Sequence, residues 1–189
     1  MKHVALFFVV IAVLIFSCRK EDEDFGLPPA TQTGENTFGC LINGNPWVAK
    51  LGPDVYDATL RKITSSYDEE GFGVADYFDF YLTANYISLA DSIYDSFSFS
   101  LRPIYGSGLI SSPNIKGEDI HYTDSQPDIA TSTYTYLLDT LYPAHVNITK
   151  LDKGSNICAG SFDFRLINTN KKDTLLISNG RFDVKYQPQ

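Results

Sequence analysis

Cys18 is the residue whose neighbours most plainly prepare it for chemistry. Thirteen apolar residues, Val4 to Phe16, run up to Ser17-Cys18, and Met1-Lys2-His3 stands before them. A basic start, an apolar run of this length and a small residue at its end form the pattern of a secretory signal. The run is shorter than the roughly 20 apolar residues that span a bilayer. The stretch Ile15-Phe16-Ser17-Cys18 looks like a lipobox with the cysteine at its modified position, although Phe16 is bulkier than the residue usual there. At such a site a diacylglyceryl group is joined to the sulfur and the chain is cut just before the cysteine. Residues 1–17 are thus expected to be a lipoprotein signal peptide and Cys18 the lipidation site. Two or more acyl chains hold a protein stably, at about 0.8 kcal/mol per buried methylene.

The remaining chemistry-bearing residues are scattered. His121 and His145 are the only histidines after the signal, and neither has a second His or a Cys at metal spacing. A Ser-His-Asp arrangement can still assemble in space, but no Gly-x-Ser-x-Gly elbow is present. Asp68-Glu69-Glu70 and Asp76 with Asp79 carry the oxygens calcium prefers, without an Asp-x-Asp-x-Asp loop. Solvated acid is the simpler reading, so no metal and no cofactor are expected. Trp47, Tyr105, Tyr122, Tyr134 and Tyr136 offer faces that could stack on sugars. Aromatics more often fill cores and coat sheets. Asn147-Ile148-Thr149 matches an N-glycosylation pattern, which carries no weight if the chain is a bacterial lipoprotein as Cys18 leads one to expect. Asp91-Ser92-Ile93, Asp139-Thr140-Leu141 and Asp173-Thr174-Leu175 resemble the Asp-Ser/Thr-apolar sites of a bacterial O-glycosylation system. Cys40 and Cys158 remain after Cys18 is used, in an oxidising compartment. Both fall on the apolar parity of their strands, so a Cys40–Cys158 disulfide is one reading and two buried thiols the other.

The elements that must position these residues are strands. After Cys18 comes an acidic run, Glu21 to Asp24, then a stretch rich in Pro, Gly and Thr without periodicity. Residues 18–36 read as a flexible tether carrying the lipidated Cys. From 37 to 189 the chain reads as a single domain. Asn43-Gly44 signals a type I′ hairpin. Phe78, Phe80 and Leu82 alternate with polar residues, as do Phe97, Phe99 and Leu101, and later Phe162, Phe164 and Leu166. This period of two marks half-buried strands. Between residues 82 and 97 a loop is expected rather than a short helix. Loops with one or two short strands are expected from Arg102 to Pro127. Near Asn179-Gly180 one long strand is favoured over a second turn, with Leu176 and Phe182 on the same inward face. About nine strands in this order predict an all-β fold, an antiparallel β-sandwich or flattened barrel.

Composition narrows the function. The 189 residues hold 15 Lys and Arg against 23 Asp and Glu, a net charge of −8. Nucleic acid is excluded as a partner on that balance, as is a basic patch gripping anionic lipid. The chain has 13 Phe and 12 Tyr but one Met and one Trp, a usage that suits strands.

Three segments carry a resemblance. They are Leu27 to Cys40 (LPPATQTGENTFGC), Ile148-Thr149-Lys150-Leu151-Asp152, and Gly160-Ser161-Phe162-Asp163-Phe164 together with Asn179-Gly180-Arg181-Phe182-Asp183-Val184. Together they resemble small bacterial lipoproteins grouped as a domain of unknown function. The likeness covers both ends of the domain and little of residues 50 to 145. It implies an envelope location and a β-rich fold, and brings no catalytic residue. The leading expectation is a non-catalytic accessory or interaction module, anchored in the outer membrane by lipid. The acidic run after Cys18 resembles the signal that sends such proteins to the cell exterior. A glycan- or ligand-binding module is the first alternative, with a glycan or an envelope protein as partner. A hydrolase with an unidentified site is the second.

Overall fold

The computed structural model describes residues 25–56, 61–68, 78–104, 106–111, 115, 119–125, 133–168, 170 and 172–188. They form thirteen strands and, among the described residues, no helix. In chain order these are β1 (Thr37–Ile42), β2 (Asn45–Val48), β3 (Lys50–Leu51), β4 (Ile63–Asp68), β5 (Phe78–Ser88), β6 (Ile93–Ile104) and β7 (Gly108–Ser111). There follow β8 (Ile120–Ser125), β9 (Thr133–Leu138), β10 (His145–Asp152), β11 (Ile157–Asn168), β12 (Asp173–Lys185) and β13 (Gln187–Pro188). Nine of them have six residues or more, and the other four have two to four. The fold is all-β, as the alternation predicts.

The hydrogen-bonded order is β13-β4-β5-β6-β8-β9-β11-β12-β1-β2, with β10 beside β11 and β7 beside β10. β13 continues from β12 yet pairs with β4, and β3 follows β2 yet pairs with β5. The two ends of the order are thereby tied back to strands within it, and the sheet curls into a half-barrel. These two pairings are parallel, so the sheet is mixed rather than purely antiparallel. Each is a two-residue strand that closely follows an antiparallel one and crosses to a distant part of the sheet.

Local chemistry explains the turns. Asn43 and Gly44 have φ of 50° and 83°. Both central residues of a type I′ turn need positive φ, and Ile42 pairs directly with Asn45 across it. Pro46 stands on β2, the last strand of the order, where a missing N–H is tolerated. The segment expected as a loop between Leu82 and Phe97 is instead a long hairpin. β5 runs on to Ser88, only Leu89–Ser92 turn, and β6 begins at Ile93. Ser92 turns the chain with φ of 55°.

Phe80, Leu82, Phe97, Phe99, Leu101, Phe162, Phe164 and Leu166 are all buried, as predicted. The Phe78 side chain lies outside the described ones. The rings form one continuous stack. Phe162 lies 5.1 Å from Phe38, 4.9 Å from Phe99 and 5.4 Å from Phe164, centroid to centroid. With one Met in the chain, ring-on-ring packing takes the place of flexible gap-filling.

At the middle of the β11–β12 pair this stack is locked by two glycines. Gly160 stands opposite Phe182, and Phe162 opposite Gly180. Each ring lies over the glycine facing it. A Cβ on Gly160 would fall 2.8 Å from the Phe182 ring and 2.6 Å from the Asn147 carbonyl oxygen; one on Gly180 would clash with the Phe162 ring at Cε2, Cδ2 and Cζ. Glycine is required here by close approach. Next to this pair β12 is bulged, because Phe162 and Phe164 on β11 face Gly180 and Ile177 on β12. Asn179 sits in the bulge with φ of 51°. β12 is thus one long strand, but the extra residue reverses its parity. Ile177 points inward with Phe182, whereas Leu176, expected inward, is 47 % exposed.

The tether expected over 18–36 is corrected from Leu27 onward. Leu27 is buried. Asp183, on β12 and only 1 % exposed, gathers the segment that follows. Its carboxylate accepts from Thr31 Oγ1 (2.7 Å), Thr33 N (3.0 Å), Gly34 N (2.8 Å) and Glu35 N (3.2 Å). Gly34 at φ 80° turns the backbone so that successive N–H groups converge. Asn36 then accepts from the Lys185 amide at 3.0 Å. Burial pushes the Asp183 carboxyl up, but the Thr31 hydroxyl and the three amides outweigh it and hold the group below its ordinary range. Composition suggests an unpacked linker here because the partners of these polar residues lie some 150 positions away in the chain.

Candidate functional site: an aromatic and carboxylate rim

β2, β6, β8 and β9 bring Trp47, Tyr122 and Tyr136 together. Trp47 lies 6.2 Å from Tyr122, and Tyr122 lies 6.2 Å from Tyr136. Tyr122 faces Tyr136 directly across the β8–β9 pair and Phe97 across the β6–β8 pair. The rings are nevertheless core. Trp47, Tyr122 and Tyr136 are 7, 6 and 3 % exposed, so no broad face is left for a sugar to stack upon. Tyr134 is half-buried against the same core, and Tyr105 lies outside the described residues.

What reaches the rim is polar. Asp95 Oδ2 accepts from Tyr122 Oη at 2.9 Å and from Trp47 Nε1 at 3.4 Å. Asp173 Oδ2 accepts from Tyr136 Oη at 3.3 Å. Burial, then the adjoining carboxylates, raise both phenols: Tyr122 far above its ordinary range and Tyr136 to about 12. Both therefore stay protonated donors at physiological pH, and neither serves as a base. Asp95 was not foreseen. Its signal was present, since Asp95 occupies the inward parity of β6 ahead of Phe97, Phe99 and Leu101, where a charge calls for partners.

Among the described residues the histidines do not build a hydrolytic relay. His121 lies on the outer face of β8, opposite Ser98 and Leu137, and burial lowers its pKa. His145 does stand between Ser111 on β7 and Asp163 on β11, in one cross-strand row. A triad needs its histidine Nδ1 bonded to the acid. Here Nδ1 is buried without a hydrogen-bond partner, and Asp163 is exposed. Glu69, Glu70 and Asp76 lie outside the described residues. Asp79 accepts a 3.4 Å hydrogen bond from Tyr81 Oη. Among the described residues no three His, Cys, Asp or Glu side chains converge as a metal site.

The disulfide expectation is corrected. Cys40 and Cys158 are both buried and both free. They point inward as their parity predicts, but Cys40 is on β1 and Cys158 on β11, with β12 between them. Two strand spacings amount to about 9.5 Å, beyond the roughly 7 Å a disulfide tolerates between Cα atoms. Burial pushes both thiols up, Cys158 to about 12, so each behaves as a small apolar side chain. Cys18 lies outside the described residues.

Arg165 organises the β9–β10 connection. Its Nη2 and Nε lie 2.6 and 2.8 Å from Asp139 Oδ2, and the guanidinium rests 4.5 Å above the Tyr142 ring. Asp139 Oδ1 accepts from the Leu141 amide at 3.0 Å. This is a clip on a turn, with both partners committed to each other. Compared with known proteins, the chain matches no family model, no curated protein and no solved structure.

Proposed function

We propose that the protein is an envelope lipoprotein, anchored through Cys18 and displaying a non-catalytic β domain as an accessory or interaction module at the cell surface. The observation that carries the reading is the apolar run Val4 to Phe16 ending in Ser17-Cys18, followed by the acids Glu21 to Asp24. The commitment of Trp47, Tyr122 and Tyr136 to the core favours this reading over a sugar-stacking platform. The unbonded Nδ1 of His145 favours it over a serine hydrolase. Cys18→Ala tests the anchor: the protein should leave the membrane fraction, and a variant that stays membrane-bound with the same processing refutes it. Protease applied to intact cells should remove the domain. Digestion only after lysis would place it on the inner side of the envelope.

A further inference from the structure

The chain contains five Asp-Ser/Thr dipeptides, at 91, 95, 124, 139 and 173, and four of them are followed by an apolar residue. Asp95-Ser96-Phe97 lies inside β6, with Ser96 half-buried between Asn85 and Thr123 on the neighbouring strands, whereas the other three tripeptides fall where the chain leaves or re-enters a strand. Asp91 and Ser92 close the β5–β6 hairpin, Asp139 and Thr140 begin the β9–β10 connection, and Asp173 and Thr174 open β12. In each the carboxylate is tied back into the fold. Asp91 Oδ2 accepts from Ser88 Oγ at 2.7 Å. Asp139 is held by Arg165 and the Leu141 amide. Asp173 Oδ1 accepts from the Thr174 amide at 2.8 Å while its Oδ2 takes Tyr136. With the acid fixed, the next residue is turned outward: Ser92, Thr140 and Thr174 are all exposed. Three rigid, exposed presentations of one tripeptide are what an enzyme acting on a folded chain can reach.

We propose that Ser92, Thr140 and Thr174 are acceptor hydroxyls for O-linked glycan. The co-reactant is a sugar carried on a phosphate or pyrophosphate leaving group. The hydroxyl oxygen forms a bond to the anomeric carbon, the bond from that carbon to the phosphate oxygen breaks, and the phosphate leaves with the electron pair. The hydroxyl proton passes to a base of the transferase. The proposal rests on the export reading above, since it places the chain where such donors are used.

The test is peptide mass mapping of the full chain purified from the cells that naturally make it, alongside Ser92→Ala, Thr140→Ala and Thr174→Ala. The expected result is a glycan mass on each of the three turn peptides, lost one at a time in the variants. Exposed hydroxyls that no Asp precedes, such as Thr64, Thr149 and Ser161, should carry none. Asp173→Asn, which keeps an acceptor for the Thr174 amide, should lose the mass from Thr174 while the hydroxyl remains. Bare turn peptides overturn the proposal, as does glycan spread over the control hydroxyls. The N-terminal peptide reports lipidation of Cys18 separately, so a lipidated chain with bare turns defeats this inference and leaves the anchor standing.

Discussion

Gly180→Ala isolates a single methyl group in the middle of the core. The backbone there is outside the left-handed region, so alanine meets no conformational penalty, and the loss of unfolded-state entropy alone would stabilise by about 0.4–1 kcal/mol. Sterics oppose this. The new Cβ would fall on Cε2, Cδ2 and Cζ of Phe162. That ring cannot retreat, because Phe38, Phe99 and Phe164 surround it at centroid distances of 4.9 to 5.4 Å. Overpacking a filled core costs about 1–3 kcal/mol, so the steric effect wins and a net loss of roughly 1–2 kcal/mol is expected. In urea the midpoint should fall with the slope unchanged. Phe162→Leu removes the ring the methyl strikes, so the double variant Phe162→Leu/Gly180→Ala should be more stable than the sum of the single losses, by about 1 kcal/mol or more. A rise in midpoint for Gly180→Ala, or strict additivity in the cycle, would refute the interlocked pair.

Asp183→Ala leaves its four donors unanswered and should cost about 2–4 kcal/mol at neutral pH, read by chemical denaturation. Because the folded Asp183 carboxyl lies below its ordinary value near 3.8, its contribution is fully present above about pH 4 and is lost as pH falls through the folded value. Asp183→Asn should therefore flatten the acid limb of the stability curve, and an unchanged limb would exclude Asp183 as its source. A reductant should leave the melting temperature of the wild-type domain unaltered. Cys40 and Cys158 should both react with a thiol reagent in unfolded, unreduced protein and resist it when folded, whereas protection in the unfolded state would restore the disulfide.

Much of the architecture is legible in the sequence, and the losses have physical causes. Alternation reports which face of a strand is apolar, and Phe80, Phe97 and Phe164 lie inward accordingly. It does not report which strand is the neighbour. Cys40 and Cys158 share the inward side and still lie two strands apart. Nor does alternation survive an inserted residue: Asn179 bulges, Leu176 and Ile177 exchange faces, and the pattern on either side of the bulge looks unbroken. Thr31 to Glu35 show no periodicity because a carboxylate on the last long strand, rather than a repeating face, holds them. For the rim, Trp47 and Tyr122 were recognisable as aromatic, but their meeting at Asp95 depends on β2 and β6 approaching across the curl of the sheet. Gly160 and Gly180 are visible as glycines within strand-like segments, and their reason, a ring seated on each, needs the register.

The fastening of Leu27 to Glu35 also sets how far the domain can travel. On the anchored reading only eight residues separate Cys18 from Leu27, and whatever their conformation they reach at most about 30 Å. The domain is then a body on a short leash, able to meet partners close to the membrane and unable to extend to distant ones. A tug on the leash enters the fold at Leu27 and passes first to the bonds around Asp183, which lie between the anchor and β1. Those bonds would yield before any core strand bears the load, and their release would lengthen the leash by the stretch up to Asn36. The same carboxylate that steadies the N-terminal segment thus acts as a mechanical fuse, weaker in acid than at neutral pH.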